Sequence, residues 1–600
     1  MNSSSSKLKK SPYLGIYSGI FASGFVSLFL TLLILYLLGV PDVIIRILAF
    51  ALPLISFAII GTLSYTKNYS EFFTARRAVP AVHCGLILAT SGLGGTGLVI
   101  IPGLLFINGF DSWCLPLGLI VGFLIMGTII APFCRKRGAY TIPSYLGWRF
   151  KSKILRKTAA VIVLVPMLLF VSAELQVATY ATQQIVGFTK IYSVIILAAV
   201  LVFCLPFGGM RALSTVSSAQ AIAVIIAVVT PAAVIGVIET NLPIAQLSHG
   251  SVLQTIKLME TAQNINSADI SSMFEYDLAG QILTNIKGEL TAPYLSLSTF
   301  SFLLTVITVM LGVACAPWLL PTSGITYGLR ETRKSFSWTI FFAGLVITSL
   351  SSLAIFMRHD LMLSVVGKLP ADFPRWFTSD NISSPISSLT NSEALKLSSV
   401  AFYRDSVLFT SPLTADLPSI FVYLVIVGVI CASLAASGAT LSAISILLTE
   451  DILKDNNRFP IARHILLFSS RIVCLLTIMS SLLVINIIQT DPLQLLLWAY
   501  AIIASAIFPV LLLSIWWKKM NVHAAIASLV VGFSISIIAI ISDDTLPIPL
   551  PVPIMGLSGL IPAFIAAFIF AKFSPGYNQF IFKIIRNMRV SRKKSIRNEF

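Results

Sequence analysis

Glu174 is the single acidic residue in an apolar run from Ala159 to Gly187. Burying an ionised carboxylate at membrane depth costs several kcal/mol even after relaxation, so such a group is protonated, paired or in touch with water. A buried acid that changes protonation state with access to either side is the minimum part of a proton-coupled transporter. The structural alternative is a Glu neutralised by a basic partner such as Arg471, or one facing a wet crevice. On the same helix Ser172, Gln176, Thr179 and Gln183 form a polar stripe within about 60° of one face, and Glu174 points almost opposite. If the stripe lines a solute path, Gln176 touches solute, while Glu174 meets a neighbouring helix and serves coupling or structure.

Two further stretches could do chemistry through their backbone: "TSGLGGTG" at 90–97 and "GVACAPWLLP" at 312–321. Glycine and proline weaken a helix in mid-membrane. Gly92, Gly94 and Gly97 spell a literal G-x-G-x-x-G, but dinucleotide binding needs a preceding strand and a βαβ unit, and both flanks here are membrane helix. Close helix packing through small residues is one alternative. The other is an unwound segment that shows backbone groups to a ligand, with Gly92, Gly94, Gly95, Ala316 and Pro317 as the expected solute contacts. The five histidines, at 83, 249, 359, 464 and 523, have no spacing that builds a metal site or a catalytic dyad, so no enzyme is expected. Six of the seven cysteines lie in or at the ends of apolar runs, without the pattern of a disulfide framework.

The elements that must position these groups follow from composition. With 56% hydrophobic and 11% charged residues and a mean hydropathy of +0.92, the chain is an all-α polytopic membrane protein. About fourteen runs reach the roughly 20 apolar residues needed to cross a bilayer. The net charge of +17 is not a nucleic-acid patch, because Lys and Arg recur at every second connection. That alternation places both termini in the cytoplasm of an integral plasma (inner) membrane protein. It puts the polar segments 240–295 and 358–416 outside, as external lids or short helices. The first run is too long for a cleaved signal and stays as a helix. Counting connections, the helix holding Gly94 enters from the cytoplasm and the one holding Pro317 from outside, with four helices between them. Two broken helices opening two inverted five-helix units are the plan of a secondary transporter that binds ion and solute at the midplane.

The motifs "RRAVPAVHCGLILATSGLGG", "TIPSYLGWRF", "FGGMRALSTVSSAQA", "LGVACAP" with "RKSFSW", "RDSVLFTSPLTADLPSIFV", "GATLSAISILLTEDIL" and "LWAYAIIASAIFPVLLLSIWWKKMN" occur in that order over roughly 70–573. In this order and spacing the chain resembles the sodium/solute symporter family, closest to its acetate/monocarboxylate permease branch. The resemblance implies a leucine-transporter-like fold: a five-plus-five inverted repeat over 71–520, two extra helices within 1–70, two more within 521–573, and a basic cytoplasmic tail over 574–600. It also implies uptake of a small organic solute, such as a short monocarboxylate, driven by a cation gradient.

Family members hold sodium with carbonyls of the first core helix, which map to Thr90 and Leu93, and with paired hydroxyls on the eighth. Counting back from Asp451, the hydroxyl positions fall on Ala435 and Ala436, whose methyl groups cannot bind a hard cation. Ser437 is next door, and with Thr90 and Leu93 it leaves a weak sodium site. Other polar positions of the family read Gly92, Ser217 and Trp318 here. The expectation is therefore coupling through a proton or a weakly held cation, with Glu174 as the coupling group and sodium or a proton in place of any organic cofactor. Partners are a small-molecule solute and the lipid bilayer, with no nucleic acid; the sequence fixes no oligomeric state. A transport-dead or sensor-like relative is the alternative, and a membrane enzyme comes last.

Overall fold

The computed structural model describes residues 13–136, 141–262, 283–285, 289–295, 297–368, 373–378, 401–454, 462–487, 490–542 and 557–573. Without water to bond its amides, an apolar chain in lipid must satisfy them within helices, and nearly all described residues are helical. Among them, ten helical stretches are long and apolar enough to cross a membrane, one of which, Ala81–Lys136, is interrupted near Gly109. Three shorter apolar helices, Lys190–Cys204, Thr299–Ala314 and Leu560–Lys572, accompany them. This is an integral membrane protein.

In chain order, α1 (Tyr13–Leu37) and α2 (Asp42–Leu63) precede the short α3 (Tyr69–Thr74). Then come α4 (Ala81–Asn108), α5 (Cys114–Ile125) and α6 (Ala131–Lys136), the last two joined by a π-helical turn. A short α7 (Ile142–Phe150), started by a Thr141/Ser144 capping box, leads into α8 (Lys153–Val186). Next are α9 (Lys190–Cys204), α10 (Met210–Thr240) and α11 (Ala245–Ala262). Strand β1 (Leu283–Asn285), α12 (Thr299–Ala314), α13 (Leu319–Ser323) and α14 (Leu329–Ser364) follow. α15 (Arg375–Thr378), strand β2 (Ala401–Tyr403) and α16 (Val407–Thr414) lead to α17 (Ser419–Ile446). The last described helices are Arg463–Ile487, Pro492–Ile502, Phe508–Trp516, Val522–Ser542 and Leu560–Phe573.

α4, α8, α10, α14 and α17 pack on one another at the centre. The apolar window of the α17 stretch is 89% buried, against 17% for α1, whose Ile16, Ile20 and Leu37 are exposed. An exposed apolar face on a membrane helix is the face that lipid covers.

The expectation of a purely helical chain needs one correction. β1 and β2 pair antiparallel, from Leu283 opposite Tyr403 to Asn285 opposite Ala401, and so tie the two long polar segments together. Parts of those segments also join the core: 245–262 is α11, and 358–364 ends α14. Arg358, fully buried, pairs with Glu260 at 2.8 Å, and Phe402 packs edge-on against Phe106. The tail 574–600, the first 12 residues and most of 374–400 lie outside the described residues.

Buried polar clusters sort to two ends. At one, Glu71 accepts from Thr66, Asn68 and Arg211 and pairs with Arg76, Tyr69 bonds Glu450, and Asp451 takes Thr141 and Arg156. At the other, Asp111 accepts from the amides of Tyr294 and Leu297, and Arg404 pairs with Asp405 and Asp491. Glu174 belongs to neither.

Candidate functional site

α4 is broken at Gly94, where φ is 64° and ψ 177°. A residue with a Cβ rarely adopts that conformation, and here a Cβ would also run into the carboxyl of Glu174. The amides just past the break therefore turn away from their own helix. Gly95 N–H donates to Glu174 Oε2 at 2.8 Å, and Thr96 N–H donates to the same oxygen at 3.4 Å. In a regular helix those amides would bond the carbonyls of Ser91 and Gly92. Glu174 thus sits at the positive end of the half-helix 95–108, where a negative charge is most favoured.

Around that carboxyl the packing is close. A Cβ on Gly95 would meet the hydroxyl of Ser433 and, at 2.8 Å, the carbonyl of Val429, so α17 lies directly against the break. Thr96 and Ser433 stand beside Glu174. Glu174, Thr96 and Ser433 are all 0% exposed, yet no hydrogen bond of good geometry reaches Glu174 Oε1, Thr96 Oγ1 or Ser433 Oγ. Buried orphan oxygens are uncommon, and each calls for an explanation.

The second break follows from Pro317, which lacks an N–H and cannot continue α12. The last turn tightens, Cys315 N–H bonding Gly312 O at 3.3 Å and Ala316 N–H bonding Val313 O at 3.2 Å. Trp318, fully buried, stacks on Phe170 of α8 with ring centroids 4.0 Å apart and also lies against Tyr500. Phe170 and Glu174 are one turn apart on α8, so one helix touches both breaks. Gly92 completes the junction, with Phe123 and Leu319 where its Cβ would be.

The structure thus brings Gly92, Gly94 and Gly95 together with Glu174 and the second break, and holds Ala316 and Pro317 buried in that break. Gln176 is half-buried on α8, while Ser172 and Thr179 of its stripe are buried and bond backwards to the carbonyls of Leu168 and Leu175. Thr90 bonds the carbonyl of Leu86, and with Leu93 and Gly94 it borders an apolar cavity of about 10 Å³, room for little more than one water. Ala435 and Ala436 are fully buried on α17. Ser437 is buried too, one turn from Ser433, and its hydroxyl has no partner.

The structural alternative for Glu174 does not hold with the basic partner named for it. Arg471 does not neutralise Glu174; it donates to the carbonyls of Thr66, at 2.7 Å, and Phe207, at 3.5 Å, with its guanidinium over Tyr65. Its long side chain reaches the polar end of the bundle instead of the core. Among the described residues no basic side chain pairs with Glu174.

Thr96 and Ser433 carry no role in the sequence reading. The available signal was the i, i+4, i+7 spacing of Ser433, Ser437 and Thr440, which puts three hydroxyls on one face of α17. Glu239, His359 and Asp360 also converge, with ligand atoms within 4.8 Å of one another. Spacing could not reveal that group, since Glu239 lies on α10 and the other two on α14.

The profile of the sodium:solute symporter family matches residues 72–321 and 411–532. An uncharacterized symporter of Cupriavidus necator is 23% identical over 568 residues, covering 81% of this chain and 83% of its own. A monocarboxylic acid transporter of Corynebacterium glutamicum is 22% identical over 532 residues, covering 84% and 86%. Among solved structures, a Na+-coupled sialic acid symporter in a substrate-bound outward-open state matches with a TM-score of 0.63 at 15% identity, over 88% of this chain and 98% of that one.

Proposed function

Because the chain belongs to the sodium:solute symporter family, we propose that it is a secondary transporter for a short monocarboxylate such as acetate, coupled through a proton at Glu174. The observation that carries this is the carboxyl of Glu174, buried without a basic partner among the described residues and bonded to the amides of a broken membrane helix. Other buried carboxylates in this chain sit with an arginine, as Glu260 does with Arg358 and Asp451 with Arg156. A carboxyl that must cross between access states crosses far more cheaply as the neutral acid.

The monocarboxylic acid transporter among the relatives supports the solute class. The two methyl groups at Ala435 and Ala436 favour a proton, or a cation held weakly by Ser437 and the carbonyls of Thr90 and Leu93, over tightly bound sodium. In this reading fourteen helices cross the membrane, ten of them as two inverted sets of five, opened by α4 and by α12 with α13. The end bearing Arg76, Arg156 and Arg211 faces the cytoplasm, as do both termini. Gly92, Gly94, Gly95, Gln176, Ala316 and Pro317 line the solute path, and the two breaks meet where that path crosses the midplane.

The test is a solute survey. Purified protein in proteoliposomes should accumulate labelled short carboxylates, and not amino acids or sugars, above the level of protein-free vesicles. Accumulation of another solute class would overturn the substrate assignment, and no accumulation of any class would favour a transport-dead relative.

A further inference from the structure

A half-helix start at the centre of a transporter is where an anionic group of the solute would bind, because its free amides and dipole both favour negative charge. In this chain that position is already filled from within: Glu174 Oε2 accepts from the amides of Gly95 and Thr96, which open the half-helix 95–108. The other carboxyl oxygen, Oε1, is fully buried, and the hydroxyls of Thr96 and Ser433 stand beside the carboxyl, close enough to exchange a hydrogen bond with it. Those two hydroxyls can accept from an O–H on Glu174, which only its protonated form has.

We propose that Glu174 is an internal stand-in for the solute's own carboxylate: the solute anion takes the amides of Gly95 and Thr96 only after Glu174 has gained a proton and turned to Ser433 and Thr96. This rests on the symporter reading and gives it a stoichiometry. An O–H bond forms on Glu174 with a proton drawn from water on the open side. Two N–H···O contacts to Glu174 break, and two form to the solute carboxylate. One negative charge faces the helix end before and after, so one proton enters with each monocarboxylate and the loaded site has the charge of the empty one. Two ionised carboxylates could not share this spot, because like charges at such distance in a dry interior exclude each other.

The surroundings are compatible with that exchange. The groups facing Glu174 are Thr96 on α4, Ser433 on α17 and the phenol of Tyr500 on the helix Pro492–Ile502; among the described residues, no Lys, Arg, His or second acid pairs with it. Gly94, which abuts Glu174, also borders the apolar cavity walled by Leu86, Leu93, Leu98, Val224 and Val346. That wall is mostly apolar, which favours an aliphatic tail over a polar one, and at about 10 Å³ the cavity must widen before it can take one.

The experiment is acetate and propionate binding to the full-length protein in nanodiscs, with proton exchange followed in weak buffer. In the wild type each bound carboxylate should take up one proton, and apparent affinity should fall about tenfold per pH unit wherever Glu174 is ionised in the free protein. Glu174→Gln should bind both anions with pH-independent affinity and no proton uptake. Anion binding without proton uptake in the wild type overturns the proposal by itself, whether or not the variant folds; so does proton uptake that persists in Glu174→Gln. If no carboxylate binds while another solute is accumulated along a pH gradient, the exchange is wrong and proton symport stands. If nothing is accumulated under any gradient, the symporter reading fails with it.

Discussion

Glu71 and Glu174 are both buried acids, and their partners set opposite roles for them. Burial pushes the Glu71 carboxyl up, but hydrogen bonds from Thr66, Arg211 and Asn68 outweigh it and hold the group at about 2 rather than 4.5. Because the folded value lies below the unfolded one, this cluster stabilises the fold fully above about pH 4.5 and loses that contribution as pH falls toward 2. Glu71→Gln should therefore lower thermal stability by about 2 kcal/mol at pH 7, with the difference vanishing near pH 2 in detergent unfolding curves. Glu174 has no such cation among the described residues. It stood out in the sequence as the one acid in a long apolar run, though whether a basic partner neutralised it could only be read from the packing. Its neighbours Thr96 and Ser433 did not stand out, since hydroxyls in membrane helices usually bond their own backbone, as Ser172 and Thr179 do here.

At the level of elements, the two broken helices were readable from "GLGG" and "APW", because glycine and proline act locally on helix geometry. What sequence could not show is that the breaks meet at α8. That contact depends on Phe170 and Glu174 standing one turn apart and on Trp318 reaching across, a long-range fact. The β1–β2 pair was equally hidden, since its two strands are three residues each and lie far apart in the chain. If the break at Gly94 is the site and not merely tight packing, Gly94→Leu should abolish uptake, because its side chain would occupy the place of Glu174. Native-like elution and thermal stability with lost uptake would bear this out; normal uptake would mean the break is a packing device.

At the scale of the whole molecule, alternation of Lys and Arg assigns sides, and the polar clusters divide between the same two ends. All seven cysteines are buried, so single new cysteines can be read cleanly. Lys67→Cys should react with an impermeant maleimide only after cells are permeabilised, and Phe110→Cys in intact cells. The reverse pattern would invert the topology. About fourteen apolar runs could be counted from sequence because hydropathy reports which segments are apolar enough to cross a bilayer; which ion is coupled is harder to see, because it turns on a few oxygens. Ala435→Ser with Ala436→Thr returns two side-chain oxygens to the site of Thr90, Leu93 and Ser437, and should add a sodium dependence that the wild type lacks.

The central claim is that a proton on Glu174, and not bound sodium, drives uptake. The direct measurement is accumulation of labelled acetate in proteoliposomes under separately imposed pH and sodium gradients, corrected for protein-free vesicles, in wild type and Glu174→Gln. The account predicts wild-type accumulation that follows the pH gradient, ignores sodium and disappears in Glu174→Gln. Uptake that rises steeply with external sodium and is indifferent to pH would contradict it, and would mean that Ser437 and the carbonyls of Thr90 and Leu93 suffice to hold sodium.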